Sequence, residues 1–175
     1  MADINVLRSN LIIYEVYYDS KRLMGTSTID LPELNYINTE VSGAGIAGDF
    51  NMVSPAMLDN MELTLHWRTI HGDLTKLLGF KAHTLTLLGA MNNYETAAGN
   101  LKQPSVKILV RGLPQKMTLG KFERASETES ETTLNIDYIK ITVGGEEKLE
   151  YDKFNFVFRV NKVDYLANVR TAIGR

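Results

Sequence analysis

Between Met61 and Trp67 the chain alternates without a break. Met61, Leu63, Leu65 and Trp67 fall on one side, with Glu62, Thr64 and His66 on the other. A period of two marks a strand with one buried and one wet face, and the pattern predicts a strand over 57–67. A denser run, Leu-Ile-Ile-Tyr-Glu-Val-Tyr-Tyr at 11–18, predicts another strand, ended by Asp19-Ser20-Lys21. Residues 24–31 form a short strand candidate closed by Pro32, which lacks the N–H a ladder needs. Further strands are expected at 83–88, at 106–111 (Val106, Ile108 and Val110 on one face) and at 134–143. The last alternates through Ile136, then Tyr138 or Ile139, then Ile141. Gly144 and Gly145 supply the positive φ of a tight hairpin, after which 148–160 returns as a long final strand. About seven strands at short spacing predict a sandwich or barrel.

Two segments carry helical spacing instead. Residues 73–78 form a short helix with Asp73 as N-cap and Gly79 as stop. Near the C-terminus Val163, Leu166, Val169 and Ile173 make a stripe, with Gly174 placed as a C-cap. That stripe is expected to cover an apolar face of the sheet, with Asp164 and Arg170 facing outward or toward a neighbour. Gly and polar residues at 36–52 and 118–132 read as long loops, the second acidic through Glu123, Glu127, Glu129 and Glu131 with nothing to bury.

Composition narrows the class. The chain has 175 residues, 44% hydrophobic and 23% charged, proportions that suit one folded domain over 1–175 without staples. Cysteine is absent, which removes disulfide scaffolds, thiolate metal sites and cysteine nucleophiles. A net charge of −2 and a pI near 5.9 argue against a general nucleic-acid binder. No stretch approaches the ~18 apolar residues of a membrane helix, and no secretory leader pattern opens the chain. The chain therefore reads as made in the cytoplasm.

Chemistry-bearing motifs are few. Gly43-Ala44-Gly45-Ile46-Ala47-Gly48 spells G-x-G-x-x-G. No strand is expected to lead in and no helix out, so the pyrophosphate-binding helix N-terminus is missing and the segment reads as a bent loop. His66, His71 and His83 fit no zinc-ligand spacing, with no carboxylate at a ligand-like offset. Asp59 and Glu62 are ordinary strand-surface carboxylates, and no Gly-x-Ser-x-Gly seats a nucleophile. No catalytic, cofactor or metal site is expected. A binding module for carbohydrate or another ligand, with Trp67 and the tyrosines as its platform, is the alternative reading.

The order of landmarks resembles the major tail tube protein of contractile-tailed bacteriophages and of R-type, phage-tail-like bacteriocins. The landmarks are Leu31-Pro32-Glu33-Leu34, the Gly43-Ala44-Gly45 loop, the alternating strand ending at Trp67, Val110-Arg111-Gly112-Leu113, a charged loop before a strand bearing Tyr138, and the closing segment Val160-Asn161-Lys162-Val163-Asp164-Tyr165-Leu166 through Arg170 to Gly174. They span nearly the whole chain, with Lys162 where the family has Gly and Arg175 where it ends apolar. The resemblance implies a mainly β, two-sheet sandwich or barrel with a short internal helix and a C-terminal helix. It implies homo-hexameric rings stacked into the inner tube of a contractile sheath, the conduit for a genome or for membrane puncture. Sheath, tape-measure, baseplate and tail terminator proteins would be its partners, and the virion tail or tail-like particle its place. DNA would pass without specific binding, and no membrane partner is implied.

Two surfaces follow as expectations. Tube proteins of this family extend a loop toward the next ring, which assigns inter-ring contact to Ile37, Val41, Gly43, Gly45, Ile46, Gly48, Phe50 and Met52, apolar or small residues costly to leave wet. A channel that passes DNA should not grip phosphate, so polar strand positions Glu62, Thr64, Asn135 and Asp137 are the lumen candidates.

Overall fold

A computed structural model describes residues 6–23 and 25–175. Its strands are β1 (Val6–Tyr18), β2 (Lys21–Leu23), β3 (Thr26–Asp30), β4 (Tyr36–Val41), β5 (Phe50–Leu58), β6 (Met61–Trp67), β7 (His83–Glu95), β8 (Asn100–Lys102), β9 (Ser105–Thr118), β10 (Ser130–Val143), β11 (Glu146–Asp152), β12 (Val157–Val160) and β13 (Val163–Asp164). Two short helices, α1 (Gly72–Lys76) and α2 (Ala167–Ala172), complete it. The fold is mainly β, in two sheets. One is eleven-stranded, running β13-β12-β11-β10-β9-β7-β1-β2, with β6 also on β10, β3 on β6 and β8 on β7. The other is the β4–β5 hairpin.

The large sheet curls around its own apolar face. Met61, Leu63, Leu65 and Trp67 of β6 are buried with Leu134 and Ile136 of β10, Leu85 of β7, Val110 of β9 and Val16 of β1. Each such side chain contributes roughly 1.5–3 kcal/mol through burial. The Tyr14 hydroxyl donates to the Ser27 carbonyl at 2.8 Å and so ties β1 to β3 across the curl. Polar groups drawn inside are satisfied. Trp67 Nε1 donates to Thr132 Oγ1 (3.1 Å), and Ser130 Oγ donates to the Leu119 carbonyl (2.8 Å). Buried His83 donates from Nε2 to the Gly79 carbonyl (2.9 Å), leaving Nδ1 to accept from the Tyr18 hydroxyl at 3.0 Å.

Several expectations change. The stretch 57–67 is two strands, because Asp59 and Asn60 form the turn between β5 and β6. The expected final strand 148–160 is the hairpin β11–β12. The Asp152 carboxylate accepts from the backbone N–H groups of Phe154 and Asn155 (3.1 and 3.0 Å) and folds the chain there. The strands at 83–88 and 106–111 extend to thirteen and fourteen residues in β7 and β9. The acidic loop is shorter than 118–132, since β10 begins at Ser130, buried with the partners given above. In the candidate strand 24–31, Met24 lies outside the described residues, and β3 supplies the remainder. Helix α1 starts from His71, not Asp73. The Asp73 carboxylate is held by Lys76 Nζ at 2.6 Å, one turn on.

The ambiguity at Tyr138 or Ile139 resolves as a bulge. On β10, Ile136 faces Gly112 and Tyr138 faces Arg111, so Asp137 is an extra residue. The inward set moves from Leu134 and Ile136 to Ile139. At this bend the β10 edge changes partner, from β6 along 130–136 to β11 along 138–143. Arg111 Nε holds the Asp137 carboxylate at 3.1 Å, and the guanidinium stands 5.4 Å from the centre of the Tyr138 ring.

Gly112 lets β9 and β10 approach at this bend, because a Cβ there would run into the Asn135 carbonyl oxygen and the Ile136 side chain. Gly112→Ala should therefore destabilise the subunit by about 1–3 kcal/mol, measured by denaturant unfolding. An unchanged midpoint would show that the strands can part freely.

Candidate assembly surfaces

The segment 36–52, expected as a loop, is mostly a hairpin arm. Among the described residues β4 and β5 pair only with each other, in the register Asn38↔Val53, Thr39↔Met52, Glu40↔Asn51 and Val41↔Phe50. Alternation places Ile37, Thr39, Val41, Phe50 and Met52 on one face and Asn38, Glu40, Asn51 and Val53 on the other. Phe50 and Met52 are 59% and 56% exposed. At the tip Gly43, Gly45 and Gly48 all have positive φ (147°, 95° and 113°), and Ile46 N–H donates to the Gly43 carbonyl at 3.1 Å. The root is fixed. Ala56 and Leu58 are buried, Asp59 N–H donates to the Asn35 carbonyl at 2.8 Å, and the Tyr36 ring meets Phe158 edge-on at 6.2 Å.

The C-terminal stripe is only half a helix face. Leu166 is buried and Val169 packs against the core. Val163, on β13, is 54% exposed, and Ile173, past α2, is 53% exposed. The physical reason is length: α2 has six residues, too few to carry a four-position stripe, and the chain before it is still strand. Asp164 and Arg170 face each other, with Arg170 Nη2 2.6 Å from the Asp164 carboxylate. The helix ends as a Schellman motif. Arg175 N–H donates to the Arg170 carbonyl (2.8 Å) and Gly174 N–H to that of Thr171 (3.1 Å), with Gly174 at φ 78°.

The four polar strand positions share the outer face of the β6–β10 pair or its bend. Glu62 lies opposite Asn135 and Thr64 opposite Thr133, with the two threonine hydroxyls 3.2 Å apart. Glu62 accepts from Gln115 Nε2 at 2.8 Å. Asp137 is engaged by Arg111 and is therefore also a structural residue. Further along β10, Lys140 lies 2.6 Å from Glu147, which raises its pKa, and Glu150 accepts from Arg159 Nη1 (2.7 Å) and from the Tyr138 hydroxyl (2.9 Å). Burial, helped by Glu150, pushes Tyr138 up to about 12. The face is polar, with several of its cations neutralised in place.

Residues 8–174 match the family described as Phage tail tube protein FII. The chain belongs to this phage tail tube family. It is 25% identical over 153 residues to the tail tube protein of Escherichia phage P2, covering 84% of this chain and 86% of that one. Its fold is similar to two chains of an extracellular contractile injection system, PVC, in the extended state. A sheath/tube terminator chain matches with TM-score 0.52 and 15% identity over 75% of this chain and 94% of that one. A chain of the sheath–tube complex matches with TM-score 0.50 and 16% identity over 74% and 87%.

The family is structural, not enzymatic, and its place is the tail of a virion or of a tail-like particle. The residues singled out for other chemistry have structural uses here. Trp67 is 1% exposed, so it offers no ligand platform. The glycine motif turns the tip of the arm between two antiparallel strands, the wrong context for a dinucleotide. His66 does meet carboxylates, Asp30 at 2.8 Å and Glu131 at 3.4 Å, from the strands on either side. Sequence offsets could not reveal that cross-strand set. Among the described residues no group of three or more His, Cys, Asp or Glu could hold a metal ion, and no helix is long and apolar enough to cross a membrane.

One surface went unrecognised in the sequence. Among the described residues the first half of β1 pairs with β7 on one side only, and Leu7, Leu11, Ile12 and Ile13 are exposed there. The signal was available: Leu11, Ile12 and Ile13 are consecutive, which makes both faces of a strand apolar.

The Asp164–Arg170 pair anchors the C-terminal segment, and Arg170 holds the Asp164 carboxyl below the usual aspartate range. Arg170→Met should lower Tm at pH 7 by roughly 2–4 °C, equivalent to about 1 kcal/mol. Because the folded-state pKa is depressed, this stability is present above the unfolded value near 3.9 and is lost as pH falls through the folded one. The gap between the melting curves of the two proteins should therefore narrow in acid. A constant gap at all pH values would mean that Arg170 acts through packing and its 2.6 Å hydrogen bond to the Phe156 carbonyl, not through Asp164.

Proposed function

We infer that this tail tube protein, as one unit over 1–175, assembles into hexameric rings that stack to form the inner tube of a contractile particle. The observation that carries the reading is the arm: an amphipathic hairpin rooted in the core, with its apolar face uncovered in the subunit. A two-stranded hairpin is marginal in water on its own, so a neighbour that covers Ile37, Val41, Phe50 and Met52 stabilises both arm and tube. Within a ring, the open edge of β1 with its exposed leucine and isoleucines suits side-by-side contact, since sheets continued around a closed ring leave no bare edges. The likeness to sheath–tube and terminator chains supports a sheath around the tube and a terminator at its end. Tape-measure and baseplate proteins complete the set of partners.

The tube conducts a genome, or in a bacteriocin the ions that follow membrane puncture, and its function is geometry. The outer face of β6 and β10 then lines the channel, where Glu62, Thr64 and Asn135 present no cation to phosphate.

Two outcomes check this. Replacing Phe50 and Met52 together by Asp should leave a folded monomer with an unchanged circular-dichroism spectrum but abolish the tubes seen by electron microscopy of the parent. Tubes of normal yield from that variant would remove the arm from assembly. Tubes carrying Glu62→Lys and Asn135→Lys should retain DNA in a salt-dependent way, because each added cation that neutralises a phosphate steepens the salt slope by roughly one. Parent tubes should not retain it. Equal retention by both would place those residues away from the lumen.

A further inference from the structure

An apolar groove of about 340 Å³ opens between β1, β3, β7 and β9, lined by Leu11, Tyr14, Ile29, Leu31, Met91 and Val106 among others. It continues the core outward. The inward faces of β7 and β9 run past the closed part of the sheet, and there Leu87 is buried while Met91 and Val106 are only half covered. Leu11 Cδ1 lies over Gly89, where a Cβ would displace it. Leu11 and Leu31 are exposed at the rim. No residue of the chain's own arm is among those lining the groove.

Resting on the reading of the arm as an assembly element, we propose that this groove is its receptor: the face carrying Ile37, Val41, Phe50 and Met52 seats in the groove of a second copy. Two observations select that occupant. The arm projects an exposed apolar face and the groove is a concave apolar surface open to solvent, and burying them against each other removes both from water. The two lie at different places on the chain, which allows a head-to-tail contact that propagates from copy to copy, as a tube requires. The other side of the hairpin, with Asn38, Glu40, Asn51 and the single apolar Val53, stays in solvent in this arrangement.

The absence of cysteine makes the test clean. Subunits carrying Met52→Cys are mixed with tagged subunits carrying Leu31→Cys, assembled into tubes and oxidised. A mixed disulfide dimer is expected on a non-reducing gel, at least tenfold above the yield from Met52→Cys with Thr84→Cys, a site outside the groove. Well-formed tubes without that excess overturn the proposal. As a second variant, Leu31→Glu, at the exposed rim and away from the β1 edge, should leave melting unchanged and cut tube yield tenfold or more, and assembly at parental yield overturns it as well. Failure of the arm reading looks different, because there the Phe50 and Met52 aspartate variant assembles normally. If that variant is assembly-dead while the groove pair gives no excess dimer, the arm docks elsewhere and only the groove assignment falls.

Discussion

Strand β10 has to serve two partners along one edge, and the rest of the molecule depends on how it bends to do so. Up to Ile136 it pairs with β6, and from Tyr138 it pairs with β11, while β9 follows it along the other edge. The extra residue, Asp137, absorbs the change. Its carboxylate is held by Arg111, whose guanidinium also lies 3.8 Å from the Asp152 carboxylate at the end of β11. One cation thus ties the bulge, its opposite strand and the next turn together. Partly buried, hydrogen-bonded ion pairs of this kind matter most through what is left unpaired when one member is removed.

That bend positions the root of the β4–β5 arm. Because β11 leaves the curl at Asp137, β12 comes to lie beneath the root of the arm, and Phe158 becomes the centre of an aromatic cluster. Its ring lies 5.8 Å from Tyr151, 6.1 Å from Tyr165 and 6.2 Å from Tyr36. Tyr36 is the first residue of the arm, and Leu58, its partner across the hairpin, is buried. A hairpin that would fray in isolation is therefore held firmly at one end, and its apolar face extends beyond the subunit. The same division recurs at the C-terminus, where Leu166 is buried while Val163 and Ile173 stay exposed.

Much of this was readable from residues alone, and what escaped has a physical cause in each case. Alternation at 61–67 gave the right inward set because β6 is buried on one face only. Gly144 and Gly145 gave the hairpin because both adopt positive φ, at 59° and 83°. The β4–β5 arm was hidden because its alternation is interrupted by Gly and Ala at the tip, and because a strand with no sheet behind it buries too little to show a strong pattern. The bulge at Asp137 blurred the period of β10, and Asp152 ended β11 through a side-chain turn that resembles any exposed aspartate. Ile37, Val41, Phe50 and Met52 stood out as apolar side chains in a glycine-rich stretch, and the structure places them on one face of the β4–β5 hairpin. The groove escaped because its lining comes from four strands distant in sequence.

The central claim is that the arm's apolar face is uncovered in the subunit and covered in the tube. Hydrogen–deuterium exchange on free and assembled protein tests it most directly, read at the arm amides over 37–41 and 50–53. The account predicts fast exchange in the free subunit, from a hairpin with no sheet behind it, and slowing by tenfold or more in tubes, while β6 and β10 are already protected in both. Arm amides exchanging at the same rate in subunit and tube would contradict it.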